Sequence, residues 1–312
     1  MQLISRITSL EASYPTQIGF FYAFLSQVAY LVGHFFVQKV SKHVTPIQVL
    51  YLIGLQVCTY NHFTVNHMKL STYSNDTKLT KMFVFRAIIG FSGACFNLTG
   101  LAMMILSEAV VIQMTAPVLT GLLAICFLKE KYDLTLLMTT VFSFVGVIFL
   151  SQPEFLFGNS TSSGESSLKT AGIIVNLIGS LLTAVTQITV KKLGSVSNPY
   201  TTGYYYGFGL AIGGPVLQIF QGIKDPQASD LFWSIFVGIT RYFAHVFMNK
   251  SYALGEANKI SLMAYLQVPM AYIVDIFILG IDVDFYSIVG SISIFSCVFI
   301  TLYKNYKRSH QR

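Results

Sequence analysis

The chain has 312 residues, of which 54% are hydrophobic and 11% are charged, and its formal net charge is +7. A soluble domain carries about 25% charged residues, so these figures exclude a soluble protein, whose polar side chains must cover its apolar interior. They also exclude a disordered chain, a collagen-like chain and a disulfide scaffold, which leaves a polytopic membrane protein.

Ten apolar runs reach or approach the length of about 20 residues that a membrane-spanning helix needs. In chain order the runs are 17–38, 44–63, 82–105, 107–128, 134–152, 170–190, 199–220, 231–250, 256–279 and 285–303. The second run is the weakest because Gln56, Asn61 and His62 interrupt it. The segments between the runs are too short for a soluble domain, so the sequence predicts an all-α polytopic membrane protein with ten transmembrane helices.

The basic residues lie in short clusters between the apolar runs, which indicates orientation in a membrane and no nucleic-acid partner. If residues 1–16 are cytoplasmic, the outer segments hold four lysines, namely Lys39, Lys42, Lys169 and Lys224. Most of the other lysines and arginines, Arg86 among them, then belong to the inner segments. By the positive-inside rule both termini are predicted to be cytoplasmic, including a basic tail at 306–312.

The loop at 153–169 is then predicted to be outer or lumenal. It contains Asn159-Ser160-Thr161, so Asn159 is a glycosylation candidate. Asn75 also begins a sequon, but it lies on the predicted inner side and is expected to stay unmodified. The sequence leaves open whether the membrane is the plasma membrane or an endomembrane.

The two halves of the chain share landmarks at a period of about 152 residues. The matched pairs are Lys39 with Lys192, Pro46 with Pro199, Pro117 with Pro269, and Glu130 with Asp282. The repeat unit contains five spans, an odd number, so its two copies must lie upside down relative to each other, as in secondary transporters. This predicts a first repeat at 17–152 and a second at 170–305, although a duplication with only a structural outcome would leave the same pattern.

Several motifs in the first repeat match a known family. They are Arg86-Ala87-Ile88-Ile89-Gly90, Ser107-Glu108-Ala109-Val110-Val111-Ile112, Thr115-Ala116-Pro117-Val118, Phe127-Leu128-Lys129-Glu130-Lys131 and Gly146-Val147-Ile148. Through them the chain resembles the EamA-type repeat of the drug/metabolite transporter superfamily, and it is most similar to the solute carrier 35 branch, in particular its G subfamily. The resemblance covers about 17–305 and is looser in the second repeat, where Asp282 replaces the usual glutamate.

The resemblance implies ten helices in two inverted five-helix EamA-like repeats around a central cavity. Members of the superfamily carry nucleotide sugars, triose phosphates, amino acids and other metabolites. The family therefore implies a transporter and leaves its cargo open.

Charged and polar side chains inside the spans are candidates for substrate binding, because burying a charge in a membrane costs about 3 kcal/mol or more. Arg241, His245 and Asn249 recur every four residues in the eighth span, on one helix face. Arg241 lies near the midplane, where it would meet an anionic group of the substrate or form a structural ion pair with Asp275. His245 would either contact substrate or be a hydrogen-bonded interior histidine.

The remaining substrate-binding candidates are polar residues of other spans, namely Lys259, Asp275, His34, Asn97 and Gln187. Lys259 could instead extend to the inner surface, and the uncharged residues could form hydrogen bonds between helices. Pro117 and Pro269 interrupt two spans at matching places, which is typical of a transporter site. They are predicted to be hinges, with passive kinks as the alternative.

The sequence contains no catalytic, metal-binding or nucleotide-binding motif, so no enzyme, metal or cofactor is expected. The function predicted from the sequence is secondary active transport of a small organic metabolite, with an anion as one candidate, by alternating access at the repeat interface. The alternatives are a regulatory or scaffold role on a transporter fold and, with less support, a membrane-embedded enzyme. The expected partners are a small-molecule substrate and the lipid bilayer, and a homodimer is left open because small residues recur at Gly203 and Gly207.

Overall fold

The structure is a computed structural model that describes residues 9, 11–40, 44–71, 76–103, 106–131, 133–151, 156, 166–222, 224–279 and 285–310. In chain order its helices are α1 (Pro15–Val40), α2 (Pro46–His67), α3 (Thr77–Ala102), α4 (Leu106–Gln113), α5 (Ala116–Leu128), α6 (Leu134–Ser151), α7 (Ser166–Gly194), α8 (Pro199–Gln221), α9 (Ala228–Leu254), α10 (Ala257–Ile260), α11 (Gln267–Leu279) and α12 (Phe285–His310). A 3₁₀ helix at Ser261–Leu266 joins α10 to α11.

Among the described residues, seven helical stretches are long and apolar enough to cross a membrane. They are Pro15–Val37, Thr77–Leu101, Ala109–Leu128, Leu134–Ser151, Thr170–Gly194, Ala228–Leu254 and Phe285–Lys307. The other predicted spans correspond to α2, α8 and the segment from α10 to α11, which fall outside this criterion. The prediction of an all-α polytopic membrane protein is confirmed. By helix length and hydropathy, seven of the ten predicted spans are matched among the described residues.

The second predicted span of each half starts with the same local signal. Thr45 caps α2 through a capping box with Gln48, and Pro46 is the first residue of the helix. Asn198 caps α8 by accepting a hydrogen bond from the Thr201 amide, and a proline again follows the cap. A polar cap satisfies a free N–H of the first turn, and proline suits that turn because it has no N–H to satisfy.

The main helix packing joins one half of the chain to the other. Helix α1 packs on α9, α2 on α8, α3 on α7, and α6 on α12. Close approach of α2 and α8 depends on small residues, because a Cβ atom at Gly207 would collide with the Cys58 backbone and one at Gly54 would collide with Leu210. The recurring glycines of α8 therefore serve packing inside the bundle, and a homodimer stays a prediction.

Each half contains one interrupted span at its matched proline. Helix α4 ends at Gln113, and Pro117 lies in the first turn of α5. In the second half the 3₁₀ helix ends at Leu266, and Pro269 lies in the first turn of α11. The segments α5, α10 and the 3₁₀ helix pack together, so the two interrupted spans meet on the side of the bundle that the sequence predicts to be cytoplasmic. We call this side the inner end.

Candidate substrate site

Arg86 lies inside α3 and not in an inner loop, which corrects the sequence-based assignment. It is nine residues into the helix, about 14 Å along the axis at 1.5 Å per residue, and is only 3% exposed. Its guanidinium carbon lies 4.7 Å from the centroid of the Tyr206 ring. The Nε and Nη1 atoms of Arg86 are buried without a hydrogen-bond partner. The third span thus places a permanent positive charge within the bundle.

Arg241 lies near the middle of the 27-residue helix α9, as the sequence predicts. Its guanidinium carbon is 5.1 Å from the centroid of the Tyr30 ring of α1. Its Nε atom is buried without a hydrogen-bond partner. Gly33 of α1 lies beside this region, and a Cβ at that position would crowd Thr240 Oγ1 at 2.9 Å while staying in ordinary contact with Arg241 Nε at 3.6 Å.

His245 lies between the two tyrosines that contact the arginines. Its ring centroid is 4.1 Å from that of Tyr206 and 5.6 Å from that of Tyr30. Its Nδ1 atom is 3.4 Å from the Tyr30 hydroxyl, at the outer limit of a hydrogen bond. Both arginines interact electrostatically with His245 and with both tyrosines. We call Arg86, Tyr206, His245, Tyr30 and Arg241 the arginine cluster.

The arginine cluster is built from both halves of the chain. Helices α1 and α3 of the first half supply Tyr30 and Arg86, and helices α8 and α9 of the second half supply the other three residues. In the described part of the chain, no carboxylate forms an ion pair with either guanidinium. Two cations therefore lie at the interface of the halves among the same aromatic rings, and each has a buried N–H group without a hydrogen-bond partner.

Two other polar residues predicted from sequence lie near this cluster or on its helices. His34, one turn beyond Tyr30 on α1, is exposed and interacts electrostatically with Arg241. Asn249, one turn beyond His245 on α9, donates a hydrogen bond of 2.8 Å to the Pro199 carbonyl and so connects α9 to the start of α8. A role of His34 in substrate binding stays a prediction, whereas Asn249 positions helices.

The other described candidates form contacts away from the cluster. Asn97 donates to Thr183 Oγ1 at 3.1 Å, joining α3 to α7. Gln187 accepts a hydrogen bond of 2.6 Å from Thr120, joining α7 to α5. Lys259 forms an ion pair of 2.8 Å with Glu256. Asn97 and Gln187 thus connect neighbouring helices, and Lys259 pairs with a residue at the start of its own helix. A role in substrate binding stays a prediction for all three.

Two sequence-based candidates lie outside what the structure describes. Asn159 falls in the undescribed part of the 153–169 loop, and the side chain of Asp275 is not described although its backbone belongs to α11. The alternative of an ion pair between Asp275 and Arg241 therefore falls outside the described side chains, and glycosylation at Asn159 stays a prediction.

At the inner end, the Glu130 carboxylate connects the two interrupted spans. The Glu130 carboxylate accepts hydrogen bonds from the Ala257 and Asn258 backbone N–H groups, at 2.7 and 2.9 Å. The Asn258 side chain donates to the Lys131 carbonyl at 3.1 Å. An anion at a helix start satisfies free N–H groups and complements the local dipole. We call Glu130, Lys131, Ala257 and Asn258 the inner latch.

Further polar contacts surround the inner latch. Lys191 of α7 donates to the Gly255 carbonyl at 2.7 Å. Lys250 of α9 forms an ion pair of 2.8 Å with Glu11, which also accepts a hydrogen bond from Tyr22. Burial opposes ionisation of the Glu11 carboxyl, but the hydrogen bonds from Lys250 and Tyr22 outweigh it and lower its pKa. The inner ends of α1, α7 and α9 are thus connected.

A separate cavity of about 750 Å³ lies between α1, the 3₁₀ helix and α12. Its lining is almost entirely apolar and includes Phe20, Phe24, Met263 and Leu266. It has no charged side chain, so it does not suit a polar metabolite. Among the described residues, no group of three histidine, cysteine or acidic side chains is arranged to hold a metal ion.

The family model of the EamA-like transporter family matches residues 17–152 and 170–303, which together form most of the chain. The chain belongs to this family. The two matched segments correspond to the halves whose helices pack on each other and jointly supply the arginine cluster.

Two relatives of the chain are named as a solute carrier and as a probable transport protein. Human solute carrier family 35 member G1 is 28% identical over 267 residues, which cover 83% of this chain and 72% of the relative. A probable transport protein of Saccharomyces cerevisiae is 24% identical over 256 residues, which cover 76% of this chain and 72% of the relative. The resemblance to the drug/metabolite transporter superfamily and its solute carrier 35 branch is confirmed.

A solved crystal structure shares the family fold with a TM-score of 0.76 at 12% identity, and the match covers 92% of this chain and 97% of that chain. At this identity the likeness concerns the fold alone. The family model, the apolar helices and the relatives identify an integral multi-pass membrane protein of the transporter class. Relatives named as transporters also agree with a protein that is not an enzyme.

Sequence reasoning missed three members of the arginine cluster. The positive-inside count places Arg86 with Lys78 and Lys81 in an inner segment. Its position inside the EamA-like motif that opens the third span was the signal that could have marked it. Tyr206 belongs to a run of three tyrosines, of which the sequence allows at most one or two to face a cavity, and Tyr30 has no signal of its own because the chain has 18 tyrosines.

Proposed function

We propose that this protein is a secondary active transporter of small organic anions. The observation that supports this most is the pair of arginines, one from each half, whose buried nitrogens lack acceptors. An unpaired buried charge is costly, and a guanidinium does not lose its proton to avoid that cost. A site of this kind is stabilised when a ligand supplies the missing negative charge, and carboxylate and phosphate groups fit guanidinium geometry best.

Alternating access at the interface of the two repeats is the proposed mechanism. The inner latch connects the interrupted spans at the inner end, while the arginine cluster lies deeper in the bundle. Release of substrate towards the cytoplasm would require these latch contacts to break. Pro117 and Pro269 are proposed as the hinges, because a helix interrupted at a proline has fewer backbone hydrogen bonds resisting a change of angle.

The test of this function is uptake by liposomes that contain the purified protein. Radiolabelled organic anions, neutral solutes and organic cations of similar size would be compared, with protein-free liposomes as the control. We expect saturable uptake of at least one anion, accelerated by an unlabelled anion inside, and background uptake of the neutral and cationic solutes. Uptake of cations or neutral solutes in place of anions would contradict the proposal, and transport of none would favour the scaffold alternative.

We also propose that both termini are cytoplasmic, as the positive-inside rule indicates. The measurement is labelling of intact cells by a membrane-impermeant thiol reagent, after Cys58, Cys95, Cys126 and Cys297 are replaced. A cysteine introduced by Asn159→Cys is expected to react, and one introduced by Lys307→Cys is expected to react only after permeabilisation. The reverse pattern would show that the orientation is inverted. If the protein resides in an endomembrane, sealed vesicles of that membrane expose their cytoplasmic face, so Lys307→Cys is then expected to react directly and Asn159→Cys only after permeabilisation.

A further inference from the structure

The arginine cluster carries two positive charges, and this number bears on the kind of anion that it binds. Arg86 and Arg241 are permanently charged, and the part of the chain that the structure describes places no ion-paired carboxylate against either one. A ligand with one negative charge would neutralise one guanidinium and leave the other uncompensated. A ligand with two negative charges would neutralise both.

The two guanidinium groups are held at separate positions. Arg86 lies against Tyr206, and Arg241 lies against Tyr30. The His245 ring lies between the two tyrosine rings, with centroid distances of 4.1 and 5.6 Å. Each guanidinium makes a cation–π contact with one ring, and Arg86 Nε and Nη1 and Arg241 Nε have no hydrogen-bond partner. The arrangement therefore offers two anion-binding positions.

A glycine lies beside each arginine, where a larger residue would crowd the arginine or its neighbour. A Cβ atom at Gly90 would collide with Arg86 Nη1, and it would lie 3.1 Å from the Tyr206 ring. A Cβ atom at Gly33 would crowd the Thr240 hydroxyl beside Arg241. Any larger residue would have to displace one of the arginines or its neighbour.

We infer that the transported substrate is a compact dianion whose two negative charges are bound by Arg86 and Arg241. This inference rests on the proposed function and narrows its substrate class. Two chemistries supply such a ligand: a small dicarboxylate, with one carboxylate for each arginine, and a phosphate monoester, whose phosphate carries close to two charges at neutral pH. The shared requirement is two negative charges on a small molecule.

The experiment compares ligands that differ by one charge at nearly constant size. Succinate and its half-amide succinamate form the carboxylate pair, and glycerol 3-phosphate and its phosphate methyl ester form the phosphate pair. Each would be titrated against the thermal unfolding midpoint of the purified protein, because a ligand that binds only the folded state raises that midpoint. We expect the dianion of at least one pair to bind at least tenfold more tightly than its monoanionic partner. The pair that responds identifies the chemistry.

The variant Arg86→Gln tests whether the second positive charge of the cluster causes the preference for the dianion. The preference for the dianion is expected to fall to less than threefold in Arg86→Gln and to be retained in Arg86→Lys, which keeps the charge. A purely structural role of Arg86 would lower the affinity for both members of a pair equally. Retention of the full preference in Arg86→Gln would overturn the inference.

The outcomes separate this inference from the proposed function. Equal binding within both pairs, or stabilisation by neither dianion, would overturn the dianion inference, and uptake of other organic anions by liposomes would still support an anion transporter. Absence of anion uptake altogether would reject the proposed function. If Arg86→Gln does not fold, the comparison of matched ligands on the unmodified protein decides the question.

Discussion

Replacing Arg241 with alanine is expected to lower the initial rate of anion uptake at least a hundredfold. The substitution removes a cation that is central to the site and leaves the substrate's anionic group facing the Tyr30 ring without a partner. A hundredfold loss corresponds to about 2.8 kcal/mol, which is within the range for losing charge-assisted hydrogen bonds to a buried ion. The measurement is uptake into liposomes by equal amounts of folded protein.

Two further variants show whether the loss of uptake in Arg241→Ala comes from the substrate site. Arg241→Lys keeps the charge but not the planar array of donors, so partial activity between alanine and the unmodified protein is expected. Lys304→Gln removes a cation at the inner end, where Lys304 pairs with Asp133 at 3.1 Å, and is expected to leave the uptake rate within about twofold. Uptake by Arg241→Ala at the unmodified rate would exclude Arg241 from substrate binding.

Replacing Glu130 with glutamine is expected to open the inner end. The variant keeps a side-chain oxygen but loses the charge that bonds to both the Ala257 and Asn258 N–H groups. Losing about 1.4 kcal/mol from these charge-assisted bonds would shift the balance of closed and open states about tenfold. A cysteine at Ser261, which is 1% exposed behind the latch, would then react about tenfold faster with a small thiol reagent.

The matched control for this experiment is Asp133→Asn. It removes another inner-end carboxylate, but one that joins α6 to α12 through Lys304 and lies outside the interrupted spans. The labelling rate at Ser261→Cys is expected to be unchanged in this control. If Glu130→Gln also leaves the rate unchanged, the Glu130 contacts are structural and do not limit opening.

Much of the fold could be predicted because its signals are local. The scarcity of charge establishes a membrane protein, and the polar cap followed by proline at Pro46 and Pro199 predicts where two helices start. The matching positions of Pro117 and Pro269 predict an interruption in the same span of each half, and both spans are interrupted in the structure. These features depend on the chemistry of adjacent residues, so one sequence is enough to find them.

The partners of buried polar groups were harder to predict. Asn97 and Gln187 are equally suited to binding a ligand or a neighbouring helix, and they bind Thr183 and Thr120 in the structure. Glu130 looks like a residue at the membrane surface, yet it caps the start of α10, 127 residues away along the chain. Such contacts depend on which helices are neighbours in space. The spacing of residues along the chain does not reveal which helices these are.

The sequence by itself determined the membrane class, the two halves and the family resemblance, because composition, the repeated landmarks and the motifs are all present in the order of residues along the chain. Only the tertiary structure decided that Arg86 lies within the bundle and shares its surroundings with Arg241. The physical reason is that helices α1, α3, α8 and α9 come from opposite halves, and only their packing brings two cations and three aromatic rings together. The scarce charge that first indicated a membrane protein therefore also includes the two residues proposed to bind its substrate.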